Sequence, residues 1–299
     1  MRVAVTGSSG LVGTALRHAL ARRGHTVHRL VRNNPRALGD ITWEPVSGRF
    51  DLESLEGVDA VVNLAGASVA SGRWIEARKR LLRTSRVEAT RHLVDGLATL
   101  RQKPAVFVSA SAVGYYADRG DEELTEKSPP GTDFLARLAA DWEAEALRAE
   151  QAGIRTVILR FGVILAATGG ALGRMLLPFR LGLGGRLGSG RQWMSWFSLS
   201  DAVGAIRYVM GNEGLRGVFN AVAPEPVRNV EFTKALGRVL GRPTIFPAPA
   251  FALRLALGEL ADALLLASQR VFPRRLEAAG YPFQHASLEL ALRNALGRG

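Results

Sequence analysis

Gly7, Gly10 and Gly13 stand three residues apart directly behind the apolar run RVAVT. Read as strand, turn and helix, this stretch gives each glycine a mechanical task. Gly7 permits the tight turn off the strand, Gly10 lets a pyrophosphate approach the backbone, and Gly13 lets the helix pack closely on the strand. The first amides of the helix, at Leu11, Val12 and Gly13, have no partner within it and favour an anion together with the helix dipole. The chemistry implied is the binding of a dinucleotide. An acid about 20 residues beyond the glycines would mark a free ribose 2′-hydroxyl. Here no Asp or Glu occurs before Asp40. The segment TVHRLVRNN instead carries Arg32 at its end, with Arg29 nearby, and a guanidinium suits a 2′-phosphate. The residues point to NADP(H), with Arg32 the better placed of the two arginines.

The elements that must position these residues follow from periodicity. RVAVTG, TVHRLVR, DAVVNLAG, AVFVSASAVG and TVILRFGVIL read as strands. LVGTALRHALARRG, WIEARKRLLRTSRVEATRHLVDGLATL and DFLARLAADWEAEALRAEQAG between them read as helices. Such alternation predicts an α/β fold, a doubly wound parallel sheet of Rossmann-like type. The rhythm changes near residue 166. The expected organisation is a dinucleotide-binding domain over 1–166, with 200–222 returning to it, and a smaller, mostly helical domain over 167–299. In the latter, SDAVGAIRYVMG and VEFTKALGRVLG read as helices, with Asn229 as an N-cap, and AFALRLALGELADALLLASQRVF reads as one amphipathic helix.

Composition narrows the classes. The chain has 299 residues, no cysteine and a formal net charge of +12. Disulfides and thiolate chemistry are excluded, which fits a reducing cytoplasm. No apolar run reaches the roughly 18 residues of a membrane span. The cations are mostly arginines scattered along helix faces, without a nucleic-acid-binding signature, so neither nucleic acid nor membrane is an expected partner. His18, His25, His28, His92 and His285 lack metal-ligand spacing, and no metal is expected.

With NLAG at 63–66, these features resemble the short-chain dehydrogenase/reductase superfamily in its extended, epimerase-like branch. The stretches NLAGASVASGRW, SASAVGYY, DFLARLAADWEAEA, MLLPFRLGLGGRLGSGRQWMSW and PRRLEAAGY narrow the resemblance to the atypical NAD(P)-dependent epimerase family, which carries a small C-terminal domain of its own. The resemblance spans essentially the whole chain. It implies cofactor contacts at Leu64, Ala65 and Gly66, and at Arg86 and Arg160. It also implies a Ser, a Tyr and a Lys three residues beyond the Tyr as the catalytic set. Ser111 sits where the serine belongs. The Tyr-x-x-x-Lys is absent in both registers of the helix that should carry it, which give Phe134 and Leu138, or Leu135 and Ala139. The cysteine that often stands for the lysine is missing too, and Arg86 replaces the supporting asparagine, as is usual in this family. Tyr115 or Tyr116, just past Ser111, is left as the candidate proton source. The glycine-rich stretch with Arg186, Arg191, Trp193 and Trp196 suits a small anionic or ring-bearing substrate. The expected function is that of an NADP(H)-dependent oxidoreductase or epimerase of unspecified substrate. The alternative is a non-catalytic NADP(H)-binding regulator.

Overall fold

Strand β1 (Arg2–Thr6) buries Val3, Ala4 and Val5 completely, as a strand covered on both faces must. The computed structural model describes residues 1–32, 35 and 39–298. After β1 come helix α1 (Leu11–Ala21), strands β2 (Thr26–Val31), β3 (Ile41–Glu44), β4 (Arg49–Phe50) and β5 (Ala60–Asn63), and helices α2 (Glu76–Arg83) and α3 (Ala89–Thr99). Strand β6 (Val106–Ala112), helix α4 (Phe134–Leu147) and strand β7 (Arg155–Phe161) follow. Helices α5 (Gly170–Arg180) and α6 (Leu199–Gly211) precede β8 (Gly217–Ala221), and helices α7 (Asn229–Leu240), α8 (Ala250–Leu257), α9 (Arg274–Ala278) and α10 (Leu288–Ala295) complete the chain.

These eight strands form one sheet in the order β8-β7-β6-β5-β1-β2-β3-β4. Every pair is parallel except β3 with β4. The order reverses at β1, and the crevice beyond the carboxyl ends there is where ligands of open α/β sheets sit. Register aligns the polar strand ends. Thr6 stands beside Asn63, Asn63 beside Ser109, Ser111 beside Arg160, and Arg160 beside Asn220.

One face of the sheet is covered by α1 and α6, through Leu16, Leu20, Ile206 and Val209. The other is covered by α3 and α4, through Leu93, Leu97 and Ala146. A separate core joins α5, α7 and α10 through Leu176, Phe179, Phe232, Leu236 and Leu292.

Three local expectations change. The long helix after β5 carries a π-helical segment, Thr84–Glu88, between α2 and α3. The amphipathic helix near residue 250 is two pieces, because Gly258 turns the chain at φ +62° after α8 and a second π segment, Ala261–Leu266, follows. Asn229 lies inside α7 rather than capping it. Its side-chain oxygen Oδ1 accepts from the Leu187 amide, and Glu231 takes the Arg228 amide instead.

Candidate functional site

The glycine turn is built by close approach. Gly7 has φ +61°, and a Cβ there would stand 2.5 Å from the Leu64 carbonyl oxygen. A Cβ on Gly13 would meet the Gly7 oxygen at 2.3 Å, so α1 can lie this close to the turn only with glycine there. Gly10 is looser, with its nearest neighbour at 3.2 Å, and it caps α1 without a side-chain bond. No acid lies in the first turn of α1. The amides of Leu11, Val12 and Gly13 are therefore presented at a helix start that side chains leave open and positive. Thr6 ties this turn to the next strand end. Its hydroxyl donates to Asn63 Oδ1 at 2.7 Å and accepts from the amides of Leu64 and Ala65 at 3.0 and 3.1 Å.

At the end of β2 the two arginines separate. Arg29 makes a bidentate pair with buried Asp40 at 2.5 and 2.6 Å. That bond holds the Arg29 proton more tightly than usual. Arg32 is exposed and has no ion pair among the described residues.

Arg86 rises from the first π segment beside the loop after β5. Its guanidinium carbon would stand 3.0 Å from a Cβ on Gly66. It donates to the carbonyls of Ala67 at 2.9 Å and Leu82 at 3.4 Å, and lies 5.4 Å over the Trp142 ring. No carboxylate pairs with it among the described residues. Burial, reinforced by the charge of Arg78, pushes its pKa down to about 10. Trp142 is itself fixed, because Thr90 accepts from both the Trp142 indole and the Asn63 amide at 2.9 Å.

Ser111, Arg160 and Tyr116 meet in the interior. The Ser111 hydroxyl donates to Glu143 Oε1 at 2.6 Å. Arg160 grips the same carboxylate at 2.7 and 2.8 Å and donates to the Tyr116 oxygen at 2.9 Å. That phenol lies 2.7 Å from Asn220 Oδ1 and 3.0 Å from the Thr125 carbonyl. Burial works against the Arg160 cation, but the bonds and charge of Glu143 outweigh it and hold its pKa above the ordinary value. Burial also pushes the Tyr116 pKa up to about 12. Tyr116 is fully buried, while Tyr115 is half-buried with Arg160 stacked 3.4 Å above its ring. Arg160 is thus enclosed by protein groups, on a strand separated from β1 by β5 and β6.

The face of α4 that should carry Tyr and Lys is apolar. Phe134, Leu135 and Leu138 pack with Trp74, Leu82 and Trp142, and Leu257, Leu260 and Leu264 close over them. In the glycine-rich stretch, Trp193 is gripped by Arg228 and Arg270 at 4.5 and 4.9 Å and donates to Asp121 at 2.7 Å. Trp196 is buried, and Arg186 and Arg191 are exposed. Among the described residues no group of His, Asp or Glu could hold a metal.

Sequence reading missed Thr6, Asn63, Thr90, Trp142, Glu143 and Asn220. A signal existed for Glu143. It falls between Ala139 and Ala146 on the buried stripe of α4, where a carboxylate needs a partner.

The family model for the NAD dependent epimerase/dehydratase family matches residues 3–221. The chain belongs to that family. A domain of unknown function (DUF1731) matches residues 248–295. An epimerase family protein of Mycobacterium bovis is 46% identical, over 99% of this chain and 98% of its own. The human epimerase family protein SDR39U1 is 38% identical, over 98% of this chain and 99% of its own. The crystal structure of human SDR39U1 (isoform 2) with NADPH superposes with a TM-score of 0.91 at 36% identity, covering all of both chains. A nucleoside-diphosphate sugar epimerase from Corynebacterium glutamicum superposes at 0.82 with 36% identity, over 99% of this chain and 58% of its own.

Proposed function

We propose that this chain binds NADP(H) across the switch point at β1, with the diphosphate on the amides of Leu11, Val12 and Gly13 and the 2′-phosphate at Arg32. The observation that carries the reading is the open start of α1. Three glycines shape it, Gly10 the least crowded of them, and no side-chain hydrogen bond caps it among the described residues. The NADPH in the human relative supports the choice of cofactor. Leu64, Ala65 and Gly66 wall the turn, and Arg86 supplies a cation that no carboxylate among the described residues neutralises. When bound, the nicotinamide supplies hydride transfer.

We infer that the chain is an oxidoreductase or epimerase in which the usual proton carrier has been replaced. Of the three candidate catalytic residues, Ser111 is bonded to Glu143 and Tyr116 is sealed in the core, so Tyr115 is the favoured proton source. A second reading, that of an NADP(H)-binding regulator, is favoured by the apolar α4 face closed over by Leu257 and Leu260. The cysteine-free sequence suits a cytoplasmic site for either.

Calorimetric titration with NADPH and NADH tests the cofactor. NADPH should bind tighter, and Arg32→Ala should weaken NADPH alone by roughly 10- to 100-fold, the worth of one charge-assisted contact. Gly10→Val should abolish binding of both while leaving the melting temperature nearly unchanged. Equal affinities in the wild type would remove the Arg32 assignment, and undiminished binding in Gly10→Val would remove the site. A carbonyl-substrate screen then separates the two readings, because turnover lost in Tyr115→Phe at unchanged NADPH affinity marks the enzyme.

A further inference from the structure

All 27 acidic residues lie outside two stretches of this chain, 162–200 and 232–258. Those stretches hold eight lysines and arginines, all exposed. Arg238 pairs with Glu289 and Arg254 with Asp262. The other six have no ion pair among the described residues.

The same stretches carry seven of the thirteen exposed large apolar side chains among the described residues. Leu177 on α5 and Leu181 at its C-cap, 68% and 65% exposed, stand one turn apart. Phe251 and Leu255, 72% and 76% exposed, do the same on α8, a helix that buries none of its residues. The chain between joins the two. Gly182 lies against Pro243, Gly185 against the Phe246 carbonyl, and Leu187 bridges to Ala248, so Leu183 runs beside exposed Ile245 and Phe246. In sequence Arg180 falls between Leu177 and Leu181, and Arg254 between Phe251 and Leu255. The end of α8 is anchored by Leu257, which packs on the α4 cluster, and by the Arg73 guanidinium, which donates to the carbonyls of Leu255 and Ala256.

We propose that this face, formed by α5, α8 and the segments joining them, docks on an anionic lipid bilayer. Leucine, isoleucine and phenylalanine enter the acyl boundary, and the arginines meet the lipid phosphates. A second copy of this chain is disfavoured, because the face would meet its own uncompensated cations. Nucleic acid would satisfy the arginines but leave the aliphatic side chains in water. No helix of the described residues is long and apolar enough to cross a membrane, and surface docking requires none. The sequence reading expected no membrane because it lacked a span and because it treated the arginines as scattered.

Co-sedimentation of the full chain with vesicles tests this. Vesicles of phosphatidylcholine with phosphatidylglycerol should carry the protein down, and pure phosphatidylcholine should not. Raising salt towards 1 M, where screening falls to about 3 Å, should release it. Leu177→Glu with Phe251→Glu should weaken partition at least tenfold, and so should Arg180→Glu with Arg242→Glu. Melting temperature and NADPH affinity should hold in both variants, since all four side chains are exposed. Failure to bind anionic vesicles overturns the proposal, and so does binding that ignores the apolar substitutions. Equal capture of polyglutamate or duplex DNA by wild type and the Leu177, Phe251 variant also overturns it, because the face would then be an acidic-partner or nucleic-acid site.

Discussion

Arg160 and Arg86 are both withdrawn from solvent, yet they are held in opposite ways. Arg160 lies at the centre of a closed set. Glu143 takes two of its bonds, Tyr116 a third, and Tyr115 covers its plane. Arg86 is backed by Trp142 and, among the described residues, bonded only to backbone carbonyls. The proton is held more firmly on the first and less firmly on the second. A buried cation with its counter-charge built in is scaffold. A cation kept without one destabilises the protein until an anion arrives, which is the pattern of a binding site. Ser111 is bonded through Glu143 into the scaffold around Arg160, while Arg86 stands without a carboxylate partner among the described residues.

The largest effect should come from breaking the closed set. Glu143→Ala leaves Arg160 charged and unpaired in the core, and the loss is expected to be about 3–5 kcal/mol. Denaturant midpoints should show it. Ser111→Ala loses one bond to the same carboxylate and should cost much less. If Glu143→Ala unfolds at the wild-type midpoint, the Arg160 cluster is not the scaffold described.

Arg86 should respond with the opposite sign. Arg86→Met removes a cation whose enclosure is unfavourable, so the cofactor-free protein should gain stability, by about 1–3 kcal/mol after allowance for its partial exposure. The same change should abolish most of the stabilisation that NADPH confers on the wild type. The sign with pH follows from the lowered value. The wild-type deficit is fully present below pH 10. It shrinks as pH rises from about 10 towards the ordinary arginine value, where the unfolded chain also loses its proton. Melting curves of both proteins at neutral pH and above pH 10 measure it. A deficit that is constant with pH, or a variant less stable than wild type, breaks the contrast between the two arginines.

The two regions also differ in how far the sequence announced them. The alternation of apolar strands with helices of period 3.6 was enough for the doubly wound sheet, and Gly7, Gly10 and Gly13 were enough for the turn, because both signals are local. Arg160 read as a ligand contact because nothing near it in sequence shows that Glu143, 17 residues earlier and on a helix, turns to the same point. Tyr115 and Tyr116 were indistinguishable for a similar reason. The short helical turn at Val113–Tyr116 sends one ring into the core and leaves the other under Arg160. The inward phenol is bonded to Asn220, 104 residues away. The π segments at 84–88 and 261–266 left no mark in periodicity, since each adds only a local widening to an otherwise ordinary helix.

The smallest effect tests the edge of the closed set. Tyr116→Phe keeps the ring and deletes the oxygen that accepts from Arg160 and bonds to Asn220, so a loss of about 1 kcal/mol is expected. NADPH affinity should not move, because the phenol faces the core. The pH dependence gives a sharper signature. Burial pushes the Tyr116 pKa up to about 12, from the ordinary 10.0. The unfolded chain releases this proton first, so wild-type stability falls as pH rises from 10 to 12 and the phenylalanine variant escapes that fall. The gap between the two proteins should therefore narrow over that interval in denaturant titrations. A gap that widens there would mean the phenolate is stabilised inside the fold. Tyr116 rather than Tyr115 would then be the group prepared to carry a proton.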